Sequence, residues 1–181
     1  MAWQNENEIG SKQFNCGFCG NRIATIKGFY SSNAAHRIYI CPHCERPTFF
    51  DGAAQIPGVA PGADVAHLPN ELEAIYNEAR RCVSINAYTS AVLSCRKLLM
   101  HIAVQQGAEP GKTFIHYVEH LANNGYVPPN GKAWVDHIRK KGNEATHEIV
   151  LMSPGDANEL ISFAEMLMKF IYEFPARVPA Q

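Results

Sequence analysis

Four cysteines and one polar stripe hold the residue types in this chain that can do chemistry. Cys16 and Cys19 form one C-x2-C pair and Cys41 and Cys44 a second, with twenty-one residues between the pairs. Two intervening residues let both sulfurs of a tight turn face one ion, and two such turns complete a tetrahedral thiolate site with no position left for water. The pattern predicts one structural Zn2+ ion. Gly17 and Gly20 supply backbone freedom for the first turn and Pro42 stiffens the second. Disulfides are the alternative, which a cytosolic chain disfavours. His36 and His43 can each replace a thiolate in principle, but a full set of four cysteines leaves them no place. Cys82 and Cys95 occupy apolar helical positions and read as packed core residues.

The stripe lies in Trp134 to Ile149, WVDHIRKKGNEATHEI. Read as one helix, it puts Trp134, Ile138, Ala145 and Ile149 on one side and Arg139, Asn143 and His147 together on the other. A guanidinium, an amide and an imidazole at successive four-residue steps can hold a phosphate and move a proton. The same row is also what a solvated polar face looks like, and Gly142 can break the helix and move His147 off it.

The elements that must position these groups fall into two kinds. Residues 1 to about 12 read as a loose polar lead. Asn21 to Phe29, Arg37 to Ile40 and Thr48 to Phe50 carry the β-branched and aromatic residues of short strands, and with the cysteines they describe a zinc ribbon. So small a module cannot stabilise itself by burial alone, so its metal must supply much of the folding energy. Asp51 to Pro69, rich in Pro and Gly, reads as an extended linker.

Beyond Pro69 the apolar spacing is helical. Asn70 is placed to cap a first helix. A second runs from about Ala87 to Gln106 and a third from about Thr113 to Asn124; the Trp134 stretch is the fourth, and Ser153 with Pro154 starts a fifth. That last helix is apolar over well over half of its circumference, which implies a second partner, either another helix of the same bundle or the same helix of a second subunit. The expectation is a homodimer through Phe163, Leu167 and Phe170. GAEPGKT at 107–113 resembles a phosphate-binding loop only superficially, because three residues separate its glycines where four are needed. The fold class expected is therefore mainly α: a helical bundle at 70–175, a zinc ribbon at 1–50 and a linker at 51–69.

Composition sets the outer bounds. The 181 residues are 46% hydrophobic and 18% charged, enough for one proper core and a small second module. Sixteen basic against seventeen acidic residues give a net charge of -1, so no global field attracts nucleic acid and any phosphate binding must be local. The N-terminus has no basic segment followed by an apolar run, and no later stretch reaches the ~20 apolar residues needed to cross a bilayer, which places the chain in the cytoplasm.

The runs NEARRCVSINAYTSAVLSCRKLLMHIAVQQGA, FIHYVEHLANNGYVP and WVDHIRKKGNEATHE resemble the helical family called domain of unknown function four-one-four-five. The likeness covers about Asn70 to Phe174, and GN-x3-H at Gly142, Asn143 and His147 is its most specific part. The resemblance implies placement in the HEPN superfamily, whose members often carry an N-terminal zinc ribbon. Many are dimeric, metal-independent ribonucleases with an arginine and a histidine spaced R-x4-6-H. Others bind or scaffold, and several act in phage defence or toxin systems.

Here seven residues separate Arg139 from His147, one beyond that spacing, while Lys140 and Lys141 stand within it. Two functions follow. In the first the protein is a nucleic-acid-associated binding or adaptor module, with RNA the foremost partner. In the second it is an RNA endonuclease in which His147 transfers the proton, Asn143 orients it, and Arg139 or Lys141, with Arg96 from the second helix, holds the phosphate. The departure from the catalytic spacing tips the balance to the first.

Overall fold

The computed structural model describes residues 3–128, 131, 134–138 and 151–178, and divides the chain into two compact units, Met1–Ala60 and Pro61–Gln181.

The first unit is a five-stranded antiparallel meander in the order β1-β2-β3-β4-β5: β1 Asn7–Asn15, β2 Arg22–Tyr30, β3 His36–Ile40, β4 Pro47–Asp51 and β5 Ala54–Ile56. Its core is Phe14, Ile23, Tyr39 and Phe50 with Cys16 and Cys41. The aromatic rings meet edge to face, Phe14 with Phe50 at 5.0 Å and Tyr39 with Phe50 at 5.7 Å. The Tyr39 hydroxyl donates to the Gly10 carbonyl at 2.7 Å, so the ring at the centre of the core also ties down β1.

The architecture is thus mixed, 45% helical and 19% strand, and the mainly α expectation is corrected. Two strands account for the difference. β1 occupies much of what reads as a loose polar lead, and β5 lies in what reads as linker. The segment NEIGSKQFN carries only Ile9 and Phe14 as large apolar residues, and a shift of register between Glu8 and Lys12 breaks the period-two pattern that would reveal a strand. As an edge strand it presents polar residues to solvent.

The second unit holds α1 Asn70–Ser84, α2 Tyr88–Gln105, α3 Phe114–Asn123, a helical stretch at 134–138, and α4 Pro154–Met168. The last of these runs on through a π-helical turn, Lys169–Glu173, into the short α5 Phe174–Ala176. α2 is the hub, packing on α1, α3 and α4, and α1 also meets α4. Asn70 is the first helical residue and caps nothing with its side chain. Thr113 accepts from the His116 amide to start α3, and Ser153 with Asp156 forms a full capping box ahead of α4. Lys112, in the loop that mimics a phosphate-binding motif, pairs with Glu109 at 3.1 Å.

The apolar circumference of α4 is taken up inside this chain. Phe163 and Leu167 are fully buried, and Trp134 meets Phe163 edge to face at 5.1 Å. Of the three residues expected at a dimer face, only Phe170 is exposed, at 47%.

Residues 61–68 are strapped onto the helices. Arg80 donates to the carbonyls of Pro61 at 2.8 Å and Gly62 at 2.9 Å and pairs with Asp64 at 2.6 Å. Glu165 and the buried Glu173 accept from the amides of Ala63 and Ala66 at 3.0 and 3.2 Å. A charged hydrogen bond contributes roughly 1.5–3 kcal/mol. Arg80→Ala is therefore expected to cost about 2 kcal/mol in chemical denaturation and to open 61–68 to protease, as mass spectrometry of the early fragments would show. Cleavage no faster than in the parent would mean that the strap is held by other contacts.

Candidate metal centre

A meander places alternate turns at the same end of its sheet, and that topology brings the two cysteine pairs together. β1 ends at Asn15 and β2 starts at Arg22, so Cys16 and Cys19 sit in the β1–β2 turn; Cys41 and Cys44 sit likewise in the β3–β4 turn. The two turns close identically. The Cys16 amide donates to the Asn21 carbonyl at 2.9 Å and the Gly20 amide to the Cys16 carbonyl at 2.9 Å; the Cys41 amide donates to Arg46 at 3.1 Å and the Glu45 amide to Cys41 at 2.9 Å. In both turns the residue after the second cysteine has a left-handed backbone, Gly20 at φ 71° and Glu45 at φ 58°. Gly17 serves differently. A β-carbon there would lie 2.3 Å from the Pro57 carbonyl oxygen and 2.5 Å from that of Gly58, so the first turn needs glycine because the chain after β5 passes against it.

The four sulfurs lie within 4.8 Å of one another. Cys16 Sγ is 3.7 Å from Cys44 Sγ and Cys19 Sγ is 3.8 Å from Cys41 Sγ. A tetrahedral ion at sulfur distances of ~2.3 Å requires sulfurs ~3.8 Å apart, whereas a disulfide requires ~2.05 Å. All six cysteines are free thiols. The donor set therefore fits a metal ion, held by one fully buried and one half-buried sulfur from each turn.

Hydrogen bonds already favour thiolates. The Phe18 amide donates to Cys16 Sγ at 3.5 Å and the Asn21 side chain to Cys19 Sγ at 3.6 Å. Burial pushes the Cys16 and Cys44 thiols up, Cys44 to about 12. Cys19 bears the same burial penalty, but hydrogen bonds from Asn21 and neighbouring thiols outweigh it and bring it down to about 6. A bound divalent cation would remove that conflict by neutralising the thiolates it gathers.

Beside the cluster the two turns meet through a second pair. The Arg46 guanidinium lies 5.2 Å from the centroid of Phe18, whose ring is 43% exposed. Sequence spacing gave no hint of this contact, because Phe18 and Arg46 come from different knuckles.

The family model for Domain of unknown function (DUF4145) matches residues 77–181, more than half of the chain. The chain belongs to that family. The match begins inside α1 and leaves the cysteine-bearing sheet outside the DUF4145 region. No match was found among curated proteins or among solved structures.

Within the DUF4145 region, Arg139, Lys140, Lys141, Asn143 and His147 lie outside the described residues. Trp134 is half-buried and Ile138 fully buried, as an inward-facing stripe requires. Arg96 is half-buried on α2 with its guanidinium 4.4 Å over Phe114, and its buried Nη1 has no hydrogen-bond partner among the described residues. His137, which the sequence reading passed over, meets Glu159 through Nε2 at 2.5 Å. Cys95 is fully buried, its thiol pushed up to about 12 by burial, and Cys82 packs half-buried against the same core. Among the described residues no helix is long and apolar enough to cross a membrane.

Proposed function

We propose that the cysteine cluster holds structural zinc and that the protein is a nucleic-acid-associated binding or adaptor protein, with RNA its favoured ligand. Four thiolates close the ion's coordination, so the metal's work is to fix the two turns and what they display. The observation that carries the reading is the exposed Phe18 ring under the Arg46 guanidinium, which has no ion-pair partner among the described residues. An aromatic face can stack a base while an adjacent guanidinium holds the phosphate, a sequence-tolerant mode suited to single strands. Arg96 also lies over an aromatic ring in the helical unit, but Phe114 is buried and offers no face to a base, so the reading rests on Phe18 and Arg46. Placement in the HEPN superfamily, with a role in phage defence or a toxin-like system, belongs to this proposal.

Fluorescence anisotropy with labelled single-stranded RNA at low salt tests it. Phe18→Ala is expected to weaken binding by roughly ten- to a hundredfold, the scale of one stacked base. Arg46→Ala is expected to weaken it and to flatten its salt dependence. No binding by the parent protein at low salt, or unchanged binding by both variants, would remove the proposal.

One observation favours metal-independent RNA cleavage as a second reading: His137, two residues before Arg139 in sequence, is a carboxylate-paired imidazole, and a carboxylate that orients an imidazole suits it to proton transfer. Chelator added to the folded protein should leave such cleavage unchanged, and Arg139→Ala, His147→Ala or His137→Ala should identify which groups carry it. Intact RNA after prolonged incubation with the parent excludes this reading and leaves the binding role.

A further inference from the structure

Of the five lysines and arginines in the first unit, only Lys27 forms an ion pair among the described residues, with Glu6 at 2.9 Å. Asp51 is engaged by His36 at 3.2 Å. Two of the cations left over flank one ring. Lys12 is half-buried with its ammonium 4.4 Å from the centroid of Phe50, and Arg37, exposed, is the cross-strand partner of Phe50 in the β3–β4 register. Cross-strand partners rise from the same face of a sheet, so both charges lie beside the same phenyl group. Arg37 Nη1 donates to the Tyr39 hydroxyl at 3.5 Å, and a β-carbon on Gly10, two residues before Lys12 on β1, would lie 3.9 Å from that nitrogen. β1 and β4 are not neighbours in the sheet; the curl that packs Phe14 on Phe50 is what brings Lys12 there. Tyr30 completes the row, opposite Arg37 on β2, with its ring 57% exposed. Like charges gathered at one apolar ring repel, and no carboxylate among the described residues pairs with either. An anion from outside the chain would offset them.

We propose that Lys12 and Arg37 hold a backbone phosphate of an RNA strand and that Tyr30 stacks the adjoining base. The inference rests on the RNA reading of Phe18 and Arg46 and adds a second point of contact to it. The Cys41 amide donates to the Arg46 carbonyl, which continues the β3–β4 register into the second knuckle. Arg46 and Phe50 are then four residues apart on one strand, ~13 Å at the rise of a β-strand. A single strand of a few nucleotides spans that length. The two cations divide the work: the planar fork of Arg37 fixes the orientation of a phosphate, and Lys12 adds charge. An acidic peptide would use the charges alone. A base also uses the exposed ring beside them, and that favours RNA.

Fluorescence anisotropy of the full chain with labelled single-stranded RNA over a salt series tests it, with circular dichroism and zinc content to show that each variant is folded. Lys12→Met keeps the stem over Phe50 and removes the charge; Arg37→Gln keeps a polar donor and removes the guanidinium. Each is expected to weaken binding at low salt by roughly five- to tenfold and to lower the slope of log affinity against log salt by about 0.7, the value for one phosphate on a single strand. Tyr30→Ala should weaken binding by about tenfold, whereas Tyr30→Phe, which keeps the stacking face, should stay within a few-fold of the parent. If Phe18→Ala weakens binding but Lys12→Met and Arg37→Gln keep the parent's affinity and salt slope, this inference fails and the site at Phe18 and Arg46 stands. If the parent binds no RNA at low salt, both fall together. Binding of polyglutamate as tight as that of RNA would also overturn it.

Discussion

Replacing Cys41 by serine is expected to unfold the sheet unit while the helices stay folded. Cys41 is fully buried and lies in one of the two turns that close on the sulfur cluster. The apolar core beside it is small, with Phe14, Ile23, Tyr39 and Phe50 as its chief side chains. Structural zinc binding contributes on the order of 10–16 kcal/mol in zinc-finger peptides at neutral pH, comparable to the roughly 5–15 kcal/mol that holds a typical domain together. With zinc held as proposed, loss of one thiolate is expected to remove most of what stabilises this unit. The helical unit has its own core, from Leu72 through Leu167, and does not share the loss. Metal analysis should find one zinc per parent chain and none in Cys41→Ser. Limited proteolysis of the full chain should then digest the first unit and leave a resistant helical fragment. A parent protein free of zinc, or a sheet unit as protease-resistant after exhaustive chelation as before it, would refute the structural role of the metal.

The second large effect is expected at Phe163. The side chain is fully buried and meets Trp134 edge to face, so Phe163→Ala removes a ring from a packed interior and leaves a cavity. Such truncations cost about 3–5 kcal/mol, and an aromatic pair of this geometry contributes a further ~0.5–1.5 kcal/mol. Chemical denaturation monitored by helical signal should register that loss at every protein concentration. A residue at a dimer interface would behave differently: its truncation would weaken association and spare the stability of the monomer. A loss that vanishes at high dilution would return Phe163 to an interface.

Much of the local structure was legible because it follows from short-range rules. The C-x2-C spacing, the β-branched runs of β2 to β4, the apolar period of α2 and α3, and the capping box at Ser153 each act within a few residues. β1 escaped because its strand character comes from pairing with β2, across a bulge, and not from its own alternation. β5 escaped because a three-residue strand takes its form from β4 beside it. The strapped segment escaped because its bonds reach Glu165 and Glu173, a hundred residues away.

The sequence by itself determined that four thiolates of the right spacing exist, that the C-terminal part is helical, and that it belongs to the DUF4145 family. Only the tertiary structure decided what those parts meet. Alternate turns of a meander fall at one end of the sheet, and that brings the two cysteine pairs within sulfur–sulfur contact and sets Arg46 over Phe18. The apolar excess of α4 carries no address in its sequence. Whether it faces its own bundle or another chain depends on which neighbours reach it first, and α1, α2 and Trp134 fill that face from within.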